Sequence, residues 1–166
     1  MTDEAAHASC VLAGTAGVLL RGASGSGKSR LGWRIVEEAQ ARGWLGLHVA
    51  DDRVHLRPRN GRLIASCPSP IAGLWELRGE GIVKVAWETR AVVRLVIDLL
   101  PDVEIDRLPD VNERTVRLHG VDLARLALPC GVDGGGVLRI LRALEGLQDA
   151  DCGALVTASL GMEGHL

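Results

Sequence analysis

The 166-residue chain has no tyrosine and no phenylalanine, and four tryptophans are its whole aromatic complement. Its core must therefore be built mainly from Leu, Val, Ile and Ala. Aromatic platforms for stacking unpaired bases are nearly missing. Charge of one sign is lacking as well. Lys and Arg number 19 against 21 Asp and Glu, for a net charge of -2, so no global field draws the chain onto nucleic acid or anionic lipid. No apolar run reaches the roughly 18 residues of a membrane span. The opening residues, MTDEAAHASCVL, are acidic where a secretory leader would be basic. Cys10, Cys67, Cys130 and Cys152 stand far apart and form no CxxC pair. That spacing points to reduced thiols in a cytoplasmic protein rather than a disulfide frame or a zinc site. The expected partners thus include neither nucleic acid nor membrane.

What is present reads as one compact domain, with 47% apolar and 24% charged residues. Ser9–Ala13 and Gly17–Arg21 read as strands, and Lys28 to about Arg42 carries Leu31, Ile35 and Ala39 at helical spacing with Gly43 as the stop. Leu45–Ala50 is the next strand and ends at Asp51-Asp52. Asn60-Gly61 between Val54–Leu56 and Leu63–Ala65 predicts a hairpin. Val92–Leu100, almost wholly apolar, predicts a central strand. Val116–Leu118 and Leu123–Leu128 suggest an antiparallel pair, followed by glycines from Gly131 to Gly136 and a helix from about Val137 to Leu147. The expected fold class is α/β, with more strands than helices and a mixed sheet. Residues 1–147 are expected to form the folded domain and residues 148–166 a tail without periodicity.

Between the second strand and the first helix lies Gly22-Ala23-Ser24-Gly25-Ser26-Gly27-Lys28-Ser29, which satisfies GxxxxGK[ST]. Glycines let backbone N–H groups turn inward around a polyphosphate. Lys28 supplies a point charge at the β- and γ-phosphates, Ser29 an oxygen for Mg²⁺, and the helix N-terminus faces the anion. The strand before and the helix after are the context this motif needs, so nucleoside triphosphate binding is expected.

Such a loop works with a carboxylate at the end of a neighbouring strand. Two positions offer one: Asp51-Asp52 after LHVA, and Asp98 inside VVRLVIDLL. Adjacent carboxylates allow a division of labour, one binding metal while the other accepts a proton. By strand hydrophobicity alone Asp98 is as good, and spacing leaves both open. LWELRGEGIVKV, residues 74–85, sets Glu76, Arg78, Gly79 and Gly81 in apolar sequence, which reads equally as a strand with a paired Glu and Arg.

Taken together, these segments resemble the C-terminal catalytic domain of the HPr kinase/phosphorylase family, bacterial enzymes that phosphorylate a serine of the phosphocarrier protein HPr. GASGSGKS, then Val49-Ala50-Asp51-Asp52, then Glu76-Leu77-Arg78-Gly79-Glu80-Gly81-Ile82 follow the family's order of P-loop, ADD strand end and a signature close to EIRGLGI. His7 matches a family histidine ahead of the P-loop strand, and Asp106-Arg107-Leu108 a later Asp-Arg-Leu stretch, so the likeness covers roughly residues 7 to 145.

The resemblance implies a P-loop core shared with phosphoenolpyruvate carboxykinase, ATP and Mg²⁺ as cofactors, HPr as partner, and a homo-oligomer, hexameric in the family. It implies that Lys28 grips phosphate with the loop and Arg78, that Ser29 and Glu76 bind Mg²⁺, and that Asp52 takes the serine proton with Asp51 beside it. His7 and Arg107 complete the implied active site. Departures are Arg30 where the family often has an acidic residue, a longer segment between Lys28 and Asp52, and a loop Pro129-Cys130-Gly131-Val132-Asp133-Gly134 without Arg or Lys. The family's equivalent loop is basic and serves phosphorolysis, so a kinase with weak or absent reverse activity is expected, in which Arg139 or Arg142 could compensate. The rival readings are a small-molecule kinase, for which no arginine-rich lid is found, and a nucleotide-binding regulatory module without catalysis.

Overall fold

The computed structural model describes residues 5–105, 110–131 and 134–160. Two strands, β1 (Ser9–Ala13) and β2 (Ala16–Gly22), form a hairpin, and helix α1 (Lys28–Ala41) leaves directly from the loop after β2. β3 (Gly46–Ala50) returns on the far edge of β1. β4 (His55–Arg59) and β5 (Arg62–Ser66) make the hairpin expected at Asn60-Gly61. A small separate hairpin, β6 (Leu74–Leu77) with β7 (Gly81–Lys84), precedes the long strand β8 (Arg90–Leu100). β9 (Thr115–Leu118) and β10 (Val121–Pro129) form the expected antiparallel pair.

The main sheet has the order β3-β1-β2-β8-β10-β9, with β5 and then β4 joined to the first half of β8. β8 is central, as its composition demands, and runs parallel to both β2 and β10. Opposite the step from Gly17 to Val18, β8 carries one extra residue, Arg94. That bulge flips the alternation. Val93 and Val96 pack on one face, with Cys10, Leu19, Leu63 and Ala65, while Leu95, Ile97 and Leu99 pack on the other against α1 and the second helix. Each fully buried aliphatic side chain contributes about 1.5–3 kcal/mol.

The second helix, α2, spans Gly134–Leu160. It starts earlier than expected and does not stop at Leu147; the stretch from Gln148 onward, read as a tail, is helical through Leu160. Val137, Ile140, Leu141 and Leu144 bury the face that joins the core. Among the described residues no helix is long and apolar enough to cross a membrane.

Candidate active site

The ends of β2 and β3 lie on the same side of the sheet because antiparallel β1 separates them. The start of β1 therefore falls at that same end, between the phosphate loop and Asp51. This topology brings His7 and Ser9 to the site. Mutual hydrogen bonds between Ala6 and Val54 pin the segment ahead of β1.

In the loop, Gly22 is held open by close approach: a Cβ there would lie 2.6 Å from Ser26 Oγ. Gly27 caps α1 with φ 99°, a conformation costly for any residue with a side chain. Ala23, Ser24 and Gly25 are exposed, whereas Ser26 and Lys28 are buried. Lys28 Nζ donates to Gly22 O and Ala23 O, both at 3.0 Å, and lies 3.2 Å from His7 Nε2. An ammonium has only protons to give, so Nε2 accepts and the ring proton sits on Nδ1. Nδ1 is 2.9 Å from Asp52 Oδ1. Lys28, His7 and Asp52 thus form one chain of contacts.

A second chain centres on Asp51. Its Oδ1 accepts from Ser29 Oγ at 2.8 Å and Ser9 Oγ at 2.7 Å, and its Oδ2 from the Glu76 N–H at 3.0 Å. The β6–β7 hairpin reaches the site through that last bond and through Trp75, whose Nε1–H donates to Ser29 O at 3.0 Å. Trp75 is fully buried, and the alternative reading of this stretch, a strand with a paired Glu76 and Arg78, is not what is seen: both side chains are exposed, and neither makes a hydrogen bond or ion pair among the described residues. His48 is wedged between Trp33 and Trp75 with Nε2 unpartnered, and burial pushes its pKa down, against opposing pulls from the Ala86 backbone and the Asp51 charge.

Asp98, the competing carboxylate, is engaged elsewhere. Arg21 grips it with two bonds, at 2.7 and 2.8 Å, and Arg125 with a third. Burial alone would raise its pKa, but hydrogen bonds and charge from the two guanidiniums outweigh that and hold it below the ordinary aspartate value. Asp98 is thus taken up by these arginines, whereas Asp51 is bonded to Ser29 and Asp52 is linked through His7 to Lys28 of the loop.

Whether the residues suit a nucleotide and a divalent ion can be judged from their donor chemistry. Ser26 Oγ is buried in the loop with no partner, an orphan hydroxyl that a phosphate oxygen would satisfy. Ser29 and Asp51 offer two oxygens side by side. That suits Mg²⁺, which is usually held by one or two carboxylates together with substrate phosphates. A cavity of about 820 Å³ lies instead between β10 and α2, where Arg125, Leu126, Arg139 and Ala143 line it and no phosphate-loop residue does.

The loop after β10 touches the phosphate loop: the Gly131 N–H donates to Ser26 O at 3.1 Å. Arg34 of α1 reaches Gly134 at the far end of this loop. Arg139 and Arg142 are exposed on α2, with Arg139 facing the other cavity. Arg107 and Asp133 lie outside the described residues. Ser9, His48 and Trp75 were not singled out from sequence. The signal for Trp75 was its place beside Glu76; for Ser9 it was a hydroxyl opening an otherwise apolar strand.

Comparison with known proteins gives a consistent picture. Residues 1–140 match the family model of the HPr Serine kinase C-terminal domain. An HPr kinase/phosphorylase of Geobacillus sp. (strain WCH70) is 35% identical over 124 residues, covering 68% of this chain and 38% of the relative. One from Chlorobium luteolum is 36% identical over 135 residues, covering 74% and 39%. The chain thus spans about two-fifths of the length of these relatives. In fold it is similar to the structure of the Hpr(Ser) kinase/phosphatase from Coxiella burnetii, with a TM-score of 0.74 at 24% identity over 97% of this chain and 99% of that one.

Proposed function

Since this chain belongs to the HPr Serine kinase C-terminal domain family, we propose that it transfers the γ-phosphoryl group of ATP to a serine of HPr. The observation that carries the reading is the meeting of two linked sets at one end of the sheet, Lys28–His7–Asp52 and Ser29–Asp51–Glu76. One is built to neutralise and move charge, the other to hold a hard cation.

In this reading the loop amides from Gly22 to Lys28 cradle the phosphates, and Lys28 exchanges the carbonyls of Gly22 and Ala23 for phosphate oxygens. Ser29 and Asp51 hold Mg²⁺, with the exposed Glu76 carboxylate beside them. Mg²⁺, when bound, offsets the negative charge of the phosphates. The serine Oγ of HPr bonds to the γ-phosphorus as the bond to the β–γ bridging oxygen breaks, leaving ADP. Asp52, exposed at the mouth, takes the hydroxyl proton. His7 orients Asp52 through Nδ1–H and links it to Lys28. Arg78, exposed on the turn of the β6–β7 hairpin, is a further cation for the nucleotide, and Arg107 is assigned to the site on resemblance alone.

The protein acts in the cytoplasm as a homo-oligomer, as in its family, and runs the reverse reaction weakly. Incubation with γ-labelled ATP, Mg²⁺ and purified HPr, followed by mapping of the label, tests the reading. Label on one HPr serine is expected. Label on small acceptors alone would make the chain a small-molecule kinase, and nucleotide binding without transfer would make it a regulatory module.

A further inference from the structure

Ser9 opens β1 and is completely buried. A hydroxyl taken out of water must find hydrogen-bond partners, and the two it finds are consecutive in the chain. Its Oγ donates to Asp51 Oδ1 at 2.7 Å and accepts the Asp52 N–H at 3.4 Å. A single atom is thus tied to the carboxylate of one aspartate and the backbone of the next. Asp52 needs such a restraint, since its φ of 62° lies in the left-handed region that side-chain-bearing residues seldom adopt. The Arg53 N–H, bonded to Asp51 O at 2.7 Å, closes the same turn. The outcome is that Asp51 turns inward to Ser29 and Asp52 outward to His7.

We propose that Ser9 is a positioning residue for phosphoryl transfer, its hydroxyl fixing Asp51 and Asp52 in their separate orientations. The inference rests on the transfer reading above and adds to it a residue that touches neither nucleotide nor acceptor. Filling space does not require the hydroxyl: the flanking Ala8 and Cys10 are buried without such a network, and alanine would fit the same volume. Without the hydroxyl, Asp51 Oδ1 keeps only Ser29 as donor and the Asp52 N–H loses its partner. Both carboxylates then sample orientations away from the reacting atoms.

The test compares the wild-type chain, Ser9→Ala and Ser9→Thr, each also in an Asp52→Asn background. Nucleotide affinity without metal should stay within about twofold of wild type, because the hydrogen bonds of Ser9 go to Asp51 and Asp52 and not to the phosphate loop. The kcat for HPr should fall about tenfold to hundredfold in Ser9→Ala, the loss of one hydrogen bond to a charged group. Ser9→Thr, which keeps the hydroxyl, should retain most of it. In the Asp52→Asn background Ser9→Ala should cost clearly less than in wild type, because only the part of the effect that runs through Asp51 remains. A kcat unchanged in Ser9→Ala, or losses that multiply fully, would overturn the proposal. Wild type that transfers nothing to HPr would instead defeat the transfer reading. The affinity of the nucleotide complex for Mn²⁺, read by electron paramagnetic resonance, then decides on Ser9: weaker binding in Ser9→Ala sustains it, and unchanged binding overturns it.

Discussion

Asp51 and Asp52 are joined by one peptide bond yet meet different surroundings. Asp51 is 7% exposed and accepts from two hydroxyls and a backbone amide. The Asp52 side chain is 64% exposed and touches His7. A base must meet the hydroxyl it deprotonates, and of the two only Asp52 opens to an incoming protein. Asp52→Asn keeps the volume and removes the proton acceptor, so HPr phosphorylation should slow about 10²–10⁴-fold while nucleotide affinity holds. Steady-state rates beside a calorimetric titration check this, and a variant as fast as wild type would remove Asp52 from the role. The pair itself was legible as ADD at the end of an apolar run. The engagement of Asp98 was not, because the arginines that hold it stand 77 and 27 residues from that carboxylate. Ser9 was hidden for a similar reason: its partners are 42 and 43 residues away, and a lone serine in a strand carries no motif.

At the scale of elements, contacts between neighbours hold the site in register. The α1 face against the β6–β7 hairpin has no room at Gly32, where a Cβ would lie 2.7 Å from the Trp75 ring and 3.2 Å from Leu20. On an open helix Gly→Ala adds about 0.8–1.0 kcal/mol of stability. Here the rigid indole must move, and overpacking of this kind costs about 1–3 kcal/mol. Gly32→Ala should therefore lower the urea midpoint and, by displacing Trp75 from Ser29 O, weaken Mg²⁺-dependent turnover; a rise in the midpoint would contradict the packing.

β2, β8 and β10 are tied by Arg21, Asp98 and Arg125. The pKa of Asp98 is lower folded than unfolded, so the stability it confers is present above the unfolded aspartate value of about 3.9 and is lost as pH falls through the folded value. Asp98→Asn should cost about 1.5–3 kcal/mol at neutral pH, with the gap to wild type closing in acid. Denaturation midpoints from pH 7 down to about 3 measure it, and a gap independent of pH would contradict the ion network. Most of these elements could be read from periodicity and turn signals, the Asn60-Gly61 hairpin and β8 most directly. The β6–β7 hairpin could not, because Leu77-Arg78-Gly79-Glu80-Gly81 interrupts a stretch whose apolar content suggested one strand.

For the molecule as a whole, the proposed forward reaction and its reverse would share Lys28, Asp52 and the metal, and would differ in the attacking group. Going forward it is a neutral hydroxyl. In phosphorolysis it is a phosphate anion entering beside phosphoserine, and cations must offset the repulsion. The loop that meets Ser26 through Gly131 has no Arg or Lys from Pro129 to Gly134. Arg139 faces a different cavity, and Arg34 stands at the loop's distant end in a pocket shared with Glu37 and Glu38. On the proposed reading, each charge-assisted contact that is missing should slow the reverse step by about tenfold to hundredfold.

The ratio of initial rates in the two directions tests the account most directly. ATP and HPr are supplied for one direction, and phosphoserine-HPr with millimolar phosphate for the other, on the same preparation. The account predicts phosphorylation of one HPr serine at least about tenfold faster than pyrophosphate release. Pyrophosphate released as fast as HPr is phosphorylated, or no phosphoserine formed at all, would contradict it.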